Sequence, residues 1–197
     1  MVKFSTNEVE GSLVVECDRH FDSRGFFQEL YNCDKYFSDS RIVWKQVNCS
    51  HSSASVLRGL HLAPYAKLVS CVKGRIFDVC LDMRENSPTK LKYAWAELTA
   101  DNKKQLFVPG GCAHGFLALE DSLVVYMQAD LWTPKEEFSL KYNDFGIEWP
   151  YKYGSMLDRW LGCKDEYILS DQDANALSKE EYFKLKQSPQ TESPLNL

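Results

Sequence analysis

Short apolar runs separated by turn residues constrain the fold of this 197-residue chain most strongly. Each run is rich in Val, Leu, Ile or aromatic residues, as strands are. Lys73-Gly74, Pro109-Gly110-Gly111 and Glu120-Asp121 are typical turn sequences between such runs. Many short strands at close spacing predict a mainly β protein, and a jelly-roll barrel with a few short helices fits best. The predicted strands are Ser12–Glu16, Gln46–Ser50, Val56–His61, Leu68–Val72, Arg75–Leu81, Tyr93–Leu98, Gln105–Val108, Gly115–Leu119 and Ser122–Tyr126.

Three segments have a helical pattern instead, namely Phe26–Phe37, Asp158–Gly162 and Asp173–Lys186. From Gln187 onwards the chain is rich in Ser, Pro and Gln, which predicts a loose tail. We therefore expect one domain over residues 1–177, followed by a polar C-terminal helix and tail over residues 178–197.

Composition and charge exclude several classes of function. Hydrophobic residues make up 44% of the chain, so it has enough apolar material to fold. The net charge of −5, without a run of Lys or Arg, argues against nucleic acid as a partner. No stretch approaches the roughly 20 apolar residues of a membrane span, and the N-terminus lacks a signal-peptide pattern. Seven scattered cysteines fit reduced thiols, so we expect a cytoplasmic protein.

His61 ends an apolar run, and two cations lie close to it in the sequence, Arg58 and Lys67. On a regular strand Arg58 and His61 would point to opposite faces, but a bulge at Gly59 could bring them together. A neutral histidine beside fixed cations suits proton abstraction next to a carbonyl, because the cations stabilise the enolate oxygen. A lone histidine is more often a packing or surface residue, which is the alternative.

Other polar residues allow both a structural and a functional interpretation. Gln46, Asn48 and Ser50 alternate along one predicted strand, where spacing alone favours a solvated face over a polar cavity. Arg24 is either a surface charge or a phosphate clamp.

A metal site is the competing interpretation of the histidines. The chain has no His-x-His pair, and His61 and His114 are far apart in sequence. No Glu lies within six residues after His61. We therefore predict no metal, and proton abstraction next to a carbonyl needs no other cofactor.

A series of motifs follows one order from about Val14 to Ala176: Phe21–Phe27, Gln46–Ser50, Val56–His61, Lys67–Val69, Gly74–Val79, Asp82–Thr89, Ala113–Phe116, Tyr142–Asp144, Ile147–Pro150 and Leu169–Asp173. Together they resemble the dTDP-4-dehydrorhamnose 3,5-epimerase family, and the ordered set is far more specific than any single motif. The resemblance implies a metal-free cupin jelly-roll barrel, usually a homodimer, that acts on a nucleotide-diphospho-4-keto sugar.

The resemblance also implies catalytic roles. His61 would be the general base, and Asp173 would orient it and stabilise its charge. Lys67 would steady the enolate at O4, with Arg58 and His114 nearby.

A second group of residues would bind the substrate. By the same resemblance, Gln46 and Asn48 would contact the sugar or the diphosphate. Arg24 and Glu29 would reach the nucleotide bound in the neighbouring subunit. Trp132 is a further candidate for substrate binding.

The chain departs from the family pattern around the expected pocket. Leu131 stands where the family has a Tyr that returns a proton to the opposite face of the sugar, and leucine cannot donate a proton. Tyr126, Tyr65 or a trapped water could replace that donor. We favour Tyr126, because a rigid strand fixes a donor better than a loop does.

Two further departures concern chain length. The loop between His61 and Lys67 is shorter than usual, with Ala63 in place of the usual Gln, and residues 153–164 form an insertion.

The family resemblance, together with His61 and its neighbouring cations, predicts an epimerase of a nucleotide-linked 4-keto-6-deoxy sugar, such as a rhamnose precursor, in deoxysugar biosynthesis. The C4 ketone acidifies the hydrogens at C3 and C5, so a base can form an enolate and a proton can return to the other face. We expect inversion at C3, C5 or both, faster at C3. A 3,4-ketoisomerase and a non-catalytic sugar-nucleotide-binding protein are the alternatives.

Overall fold

The computed structural model describes residues 2–37, 42–135, 137–150 and 167–187. The strands are β1 (Lys3–Thr6), β2 (Leu13–Glu16), β3 (Arg19–Asp22), β4 (Gly25–Gln28), β5 (Gln46–Ser52), β6 (Leu57–Leu62), β7 (Lys67–Lys73), β8 (Arg75–Asp82), β9 (Tyr93–Thr99), β10 (Lys104–Val108), β11 (Cys112–Ala118), β12 (Ser122–Gln128) and β13 (Phe138–Ser139). Each of the predicted strands is present, with ends that differ by up to three residues, whereas β1, β3, β4 and β13 were not predicted.

Within these residues the strands form two sheets and a separate hairpin. The six-stranded sheet has the order β1-β2-β10-β7-β12-β5, and the five-stranded sheet has the order β13-β6-β11-β8-β9. The hairpin pairs β3 with β4. This architecture confirms the prediction of a mainly β, cupin-like jelly roll.

Strand β8 shows how the core is divided, because both of its faces are buried. Ile76 and Cys80 join a cluster with residues of β7 and β12, which belong to the other sheet, so this cluster lies between the sheets. Phe77 and Leu81 point the other way into an outer cluster that also contains Tyr182 from the C-terminal segment. The C-terminal segment is thereby packed on the back of the five-stranded sheet.

The predicted helix over Phe26–Phe37 is wrong. Gly25–Gln28 forms β4, and turns lead from there to Phe37. Tyr31, Tyr36 and Phe37 pack with residues of β2, β7 and β10. Their spacing thus reflects a loop that covers the six-stranded sheet, although it resembles the spacing of an amphipathic helix.

The predicted helix over Asp173–Lys186 is divided into α1 (Asp171–Ala174) and α2 (Lys179–Gln187). Ser178 explains the division. Its Oγ accepts a hydrogen bond from the Glu181 N–H at 3.2 Å, and its own N–H donates to Glu181 Oε2 at 2.7 Å. This reciprocal capping begins a new helix.

Several predictions concern residues outside the described part of the chain: the helix Asp158–Gly162, the insertion 153–164 and the tail beyond Gln187. The domain boundary at residue 177 stays a prediction. Neither α1 nor α2, the helices of the described residues, is long and apolar enough to cross a membrane.

Candidate active site

A cavity of about 220 Å³ lies between the two sheets. Strands β5, β7 and β12 contribute one wall, and strands β6 and β11 contribute the other. A larger cavity of about 500 Å³, lined by Leu62, Met83 and Tyr182 among others, has no histidine in its lining. The smaller cavity is therefore the candidate active site, and the predicted residues that line it are Arg58, His61, Lys67, His114, Tyr126 and Trp132.

His61 and Asp173 form a hydrogen-bonded pair at this cavity. Nε2 of His61 lies 2.7 Å from Oδ1 of Asp173, and Ser170 Oγ donates to Oδ2 at 2.9 Å. Burial by itself would raise the pKa of Asp173, but the hydrogen bond and charge of His61, together with Ser170, lower it overall. An ionised carboxylate only accepts hydrogen bonds, so His61 carries its proton on Nε2 and keeps the basic lone pair on Nδ1.

A bulge in β6 brings Arg58 and His61 to the same cavity, as predicted. His61 pairs with His114 and Arg58 pairs with Phe116, so β6 has one more residue than β11 in this interval. Gly59 lies in the bulge with a φ of +103°, and a Cβ there would come within 2.7 Å of the His114 carbonyl oxygen. The bulge therefore requires glycine.

Lys67 reaches the cavity from the opposite wall. Burial lowers the pKa of Lys67, because a low-dielectric environment penalises the ammonium, and the nearby carboxylates Glu137 and Asp78 counter this in part. Nζ of Lys67 lies 3.5 Å from Oε1 of Glu137, and the same oxygen lies 4.0 Å from Nδ1 of His61. An anionic oxygen can thus be held between the base and the lysine.

His114 and Asp78 form a second histidine–carboxylate pair, with Nε2 2.8 Å from Oδ1. Asp78 is fully buried. Burial raises the pKa of Asp78, whereas the charges of His114 and Lys67 act against the increase. A second histidine ring therefore lines the cavity together with Lys67.

The polar residues of β5 form a hydrogen-bonded row. Gln46 Nε2 donates to Asn48 Oδ1 at 2.8 Å, and Asn48 Nδ2 donates to Gln128 Oε1 at 2.5 Å. Gln128 and Ser50 line the cavity. Of the three β5 residues only Ser50 lines the cavity, and Gln46 and Asn48 are half-buried and connect to it through Gln128. This face is therefore less exposed than the solvated face that spacing alone favoured.

Tyr126 lines the cavity from β12, across from His61 on the other sheet. Burial raises the pKa of Tyr126, the charge of Glu137 adds to the increase, and Arg58 opposes it. Tyr65 is buried but does not line the cavity, and its ring centroid lies 5.9 Å from Lys67 Nζ. Leu131 is 57% exposed.

Arg24 and Glu29 do not line this cavity. Arg24 follows β3 at the hairpin turn, where its guanidinium pairs with Asp22 at 2.5 Å. Glu29 follows β4 and pairs with Lys35 at 2.8 Å. A role of either residue in nucleotide binding would therefore require a contact outside this cavity.

Glu137 and Gln128 lie at the site but were not predicted from the sequence. Gln128 is two residues after Tyr126, so both side chains point to the same face of the strand, and a predicted strand longer by two residues would have included it. No sequence pattern around Glu137 indicates a site residue, because its position beside Lys67 depends on how the chain folds after β12. In the described part of the chain, no three His, Cys, Asp or Glu side chains converge to hold a metal.

A histidine–carboxylate pair faces a buried lysine across the cavity of a jelly roll, an arrangement suited to enolate chemistry in a cupin-type isomerase. Residues 6–181 match the family model described as dTDP-4-dehydrorhamnose 3,5-epimerase. The chain belongs to this family, and its class as an isomerase follows from that membership.

Similar proteins support the assignment. A dTDP-4-dehydrorhamnose 3,5-epimerase of Methanothermobacter thermautotrophicus is 34% identical over 181 residues, which cover 88% of this chain and 92% of the relative. The structure of an epimerase from Mycobacterium tuberculosis has a TM-score of 0.84 and 36% identity, covering 93% of this chain and 92% of the other. A 3'-monoepimerase from Streptomyces bikiniensis, in complex with dTDP-quinovose, has a TM-score of 0.79 and 28% identity, with coverages of 90% and 88%.

Proposed function

We propose that this isomerase inverts C3, C5 or both in a nucleotide-linked 4-keto-6-deoxy sugar. The observation that carries the proposal is the placement of the His61–Asp173 pair and Lys67 on opposite walls of one cavity. His61 Nδ1 removes a proton from the carbon next to the ketone, and the electron pair of the C–H bond becomes the enolate. The Lys67 ammonium stabilises the oxygen on which the negative charge develops.

Inversion then requires a proton from the opposite face of the ring. Tyr126 lies in the sheet across from His61, and a tyrosine phenol, with an ordinary pKa of about 10, holds a proton for delivery at neutral pH. We propose Tyr126 as the donor in place of the tyrosine that the family has at position 131. A relative described as a 3'-monoepimerase supports single-centre chemistry in this fold.

Deuterium wash-in tests this function directly. The wild type and His61→Asn are incubated with dTDP-, UDP- and GDP-4-keto-6-deoxy sugars in deuterated water, and the ring is followed by NMR. We expect deuterium at C3 first, and a loss of about 10²–10⁴-fold in the variant. Near-normal exchange in folded His61→Asn contradicts the assignment of the base. Migration of the carbonyl to C3 identifies a ketoisomerase, and no reaction at all leaves a binding protein.

The proton donor is tested with Tyr126→Phe, and Tyr65→Phe is the matched control. We expect Tyr126→Phe to slow inversion while deprotonation by His61 continues. Unchanged inversion in both variants would leave water as the donor. Equal, rapid labelling at C3 and C5 would remove the single-centre expectation.

We also propose a homodimer in which Arg24 and Glu29 serve the partner's cavity. The β3–β4 hairpin carries Phe21 and Phe27, which are 73% and 68% exposed and thus form an apolar surface suited to a protein interface. A monomer by solution scattering that stays fully active at nanomolar dilution would contradict this.

The six cysteines of the described residues are unpaired, which supports a reducing compartment such as the cytoplasm.

A further inference from the structure

The Gln128 amide is buried in the wall of the candidate active site, with an incomplete set of hydrogen bonds. The residue is 3% exposed and lines the cavity. Its Oε1 accepts from Asn48, but no described residue accepts a hydrogen bond from its Nε2. Because buried N–H donors are almost always paired in folded proteins, this one points to an acceptor supplied by a ligand.

The orientation of this amide is set by a backbone group. The Trp132 N–H can only donate, and it does so to Gln46 Oε1 at 2.9 Å. Nε2 of Gln46 must therefore donate to Asn48 Oδ1, and Nδ2 of Asn48 must donate to Gln128 Oε1. The row ends with the NH₂ group of Gln128, which is consequently a fixed donor.

The register of the sheet places this donor beside Lys67. Gln128 of β12 is directly opposite Lys67 of β7, so the two side chains emerge side by side on one face. Both line the cavity across from His61. Ser50 Oγ, also in the lining, is buried and has no partner among the described residues, as expected for a wall that receives an oxygen-rich ligand.

We propose that Gln128 Nε2 and Lys67 Nζ together bind the ketone oxygen of the substrate as a two-donor oxyanion site. The inference rests on the proposed function, which supplies the ketone. When His61 removes the proton, the electron pair moves onto this oxygen, and both hydrogen bonds strengthen as its charge grows. Lys67 provides the charge, and Gln128 provides a neutral donor with a fixed direction.

Two variants test the donor. Gln128→Glu keeps an oxygen that accepts from Asn48 but removes the NH₂ group. Gln128→Met, with a side chain of similar length, removes both the oxygen and the NH₂ group. We expect each to lower kcat for deuterium exchange at C3 by about 10²-fold, the usual loss for one oxyanion donor. Binding of dTDP, which lacks the ketone, is expected to stay unchanged and controls for folding.

A direct readout uses the side-chain amide resonances of ¹⁵N-labelled His61→Asn protein, in which turnover is blocked. The Gln128 resonance is assigned by its loss in the double variant with Gln128→Met. We expect dTDP-4-keto-6-deoxyglucose, but not dTDP, to move one Gln128 proton downfield.

The outcomes separate the two proposals. Normal exchange in the wild type, with kcat of Gln128→Glu within about threefold of it, overturns the role of Gln128 and leaves the proposed function intact. Absence of exchange in the wild type with every 4-keto sugar refutes the proposed function. In that case the role of Gln128 is judged from its amide resonance: a downfield shift supports carbonyl binding by Gln128, and no shift overturns it.

Discussion

Replacement of Asp173 by Asn tests whether Asp173 holds His61 in the tautomer that can act as the base. Nε2 of His61 is 2.7 Å from Oδ1, and Ser170 Oγ donates to Oδ2 at 2.9 Å. The Ser170 hydroxyl also accepts from the Asp173 N–H at 3.1 Å, which directs its own proton towards Oδ2. In Asp173→Asn, the amide oxygen takes the place of Oδ2 and the NH₂ group faces His61.

The consequence is the wrong tautomer. Nε2 must then accept a hydrogen bond, so the His61 proton moves to Nδ1, where the lone pair of the base is needed. The comparable change in a Ser-His-Asp triad lowers kcat by about 10⁴-fold. If the amide rotates instead, only the charge is lost, and the decrease is nearer 10²-fold. The range corresponds to about 2.7–5.4 kcal/mol of transition-state stabilisation.

The assay is deuterium incorporation at C3 of a dTDP-4-keto-6-deoxy sugar, with dTDP binding as the test of a folded site. Asp171→Asn is the matched control, because it makes the same change on the same short helix at an exposed position. Removing the Ser170 hydroxyl in Asp173→Asn/Ser170→Ala frees the amide to rotate, so part of the activity is expected to return. Asp173→Asn with more than about a tenth of wild-type kcat would refute this account of the base.

Two further predictions concern stability. Gly59→Ala is expected to destabilise the chain by about 3 kcal/mol or more in urea unfolding, since its Cβ would meet the His114 carbonyl oxygen at 2.7 Å. Gly25→Ala is the control, because Gly25 also has a positive φ but open space around its Cβ, and it is expected to cost about 1 kcal/mol. Equal losses in the two variants would contradict the clash. Burial alone would raise the pKa of Asp82, but hydrogen bonds, chiefly from Arg84, lower it overall, so its stabilisation is complete above the unfolded pKa of about 3.9 and is lost as pH falls. Asp82→Asn is therefore expected to lose about 2–3 kcal/mol at pH 7 and less at pH 3, and a loss independent of pH would exclude the carboxylate as its source.

The sequence predicted the strands well because strand signals are local. Alternating or continuous apolar runs and Gly-containing turns are properties of a few neighbouring residues. The bulge at Gly59 was also predictable, since only an irregular strand brings Arg58 and His61 to one side. The helix predicted at Phe26–Phe37 failed because a loop that covers a sheet has the same apolar content as an amphipathic helix.

The site was predictable only where a motif carried it. His61, Lys67 and His114 belong to recognisable segments, and the structure brings them to one cavity. Glu137 has no such segment, because its position depends on how the chain folds back after β12. The hydrogen-bond direction along the β5 amides depends on the Trp132 N–H, a long-range contact that no local pattern contains.

The segment from Leu131 to Glu137 explains why losing the family tyrosine need not disable the site. Leu131 points to solvent, but its neighbour Trp132 fixes the amide row through its N–H and donates from Nε1 to Glu137 Oε2 at 2.5 Å. The segment therefore supports the cavity wall that carries Lys67 and Gln128, although position 131 offers no proton donor. In the proposed mechanism the two steps depend on different residues: Lys67 and Gln128 for enolate formation, and Tyr126, on the same strand as Gln128, for proton return. Changes at Trp132 are expected to affect the first step, whereas changes at Tyr126 affect the second.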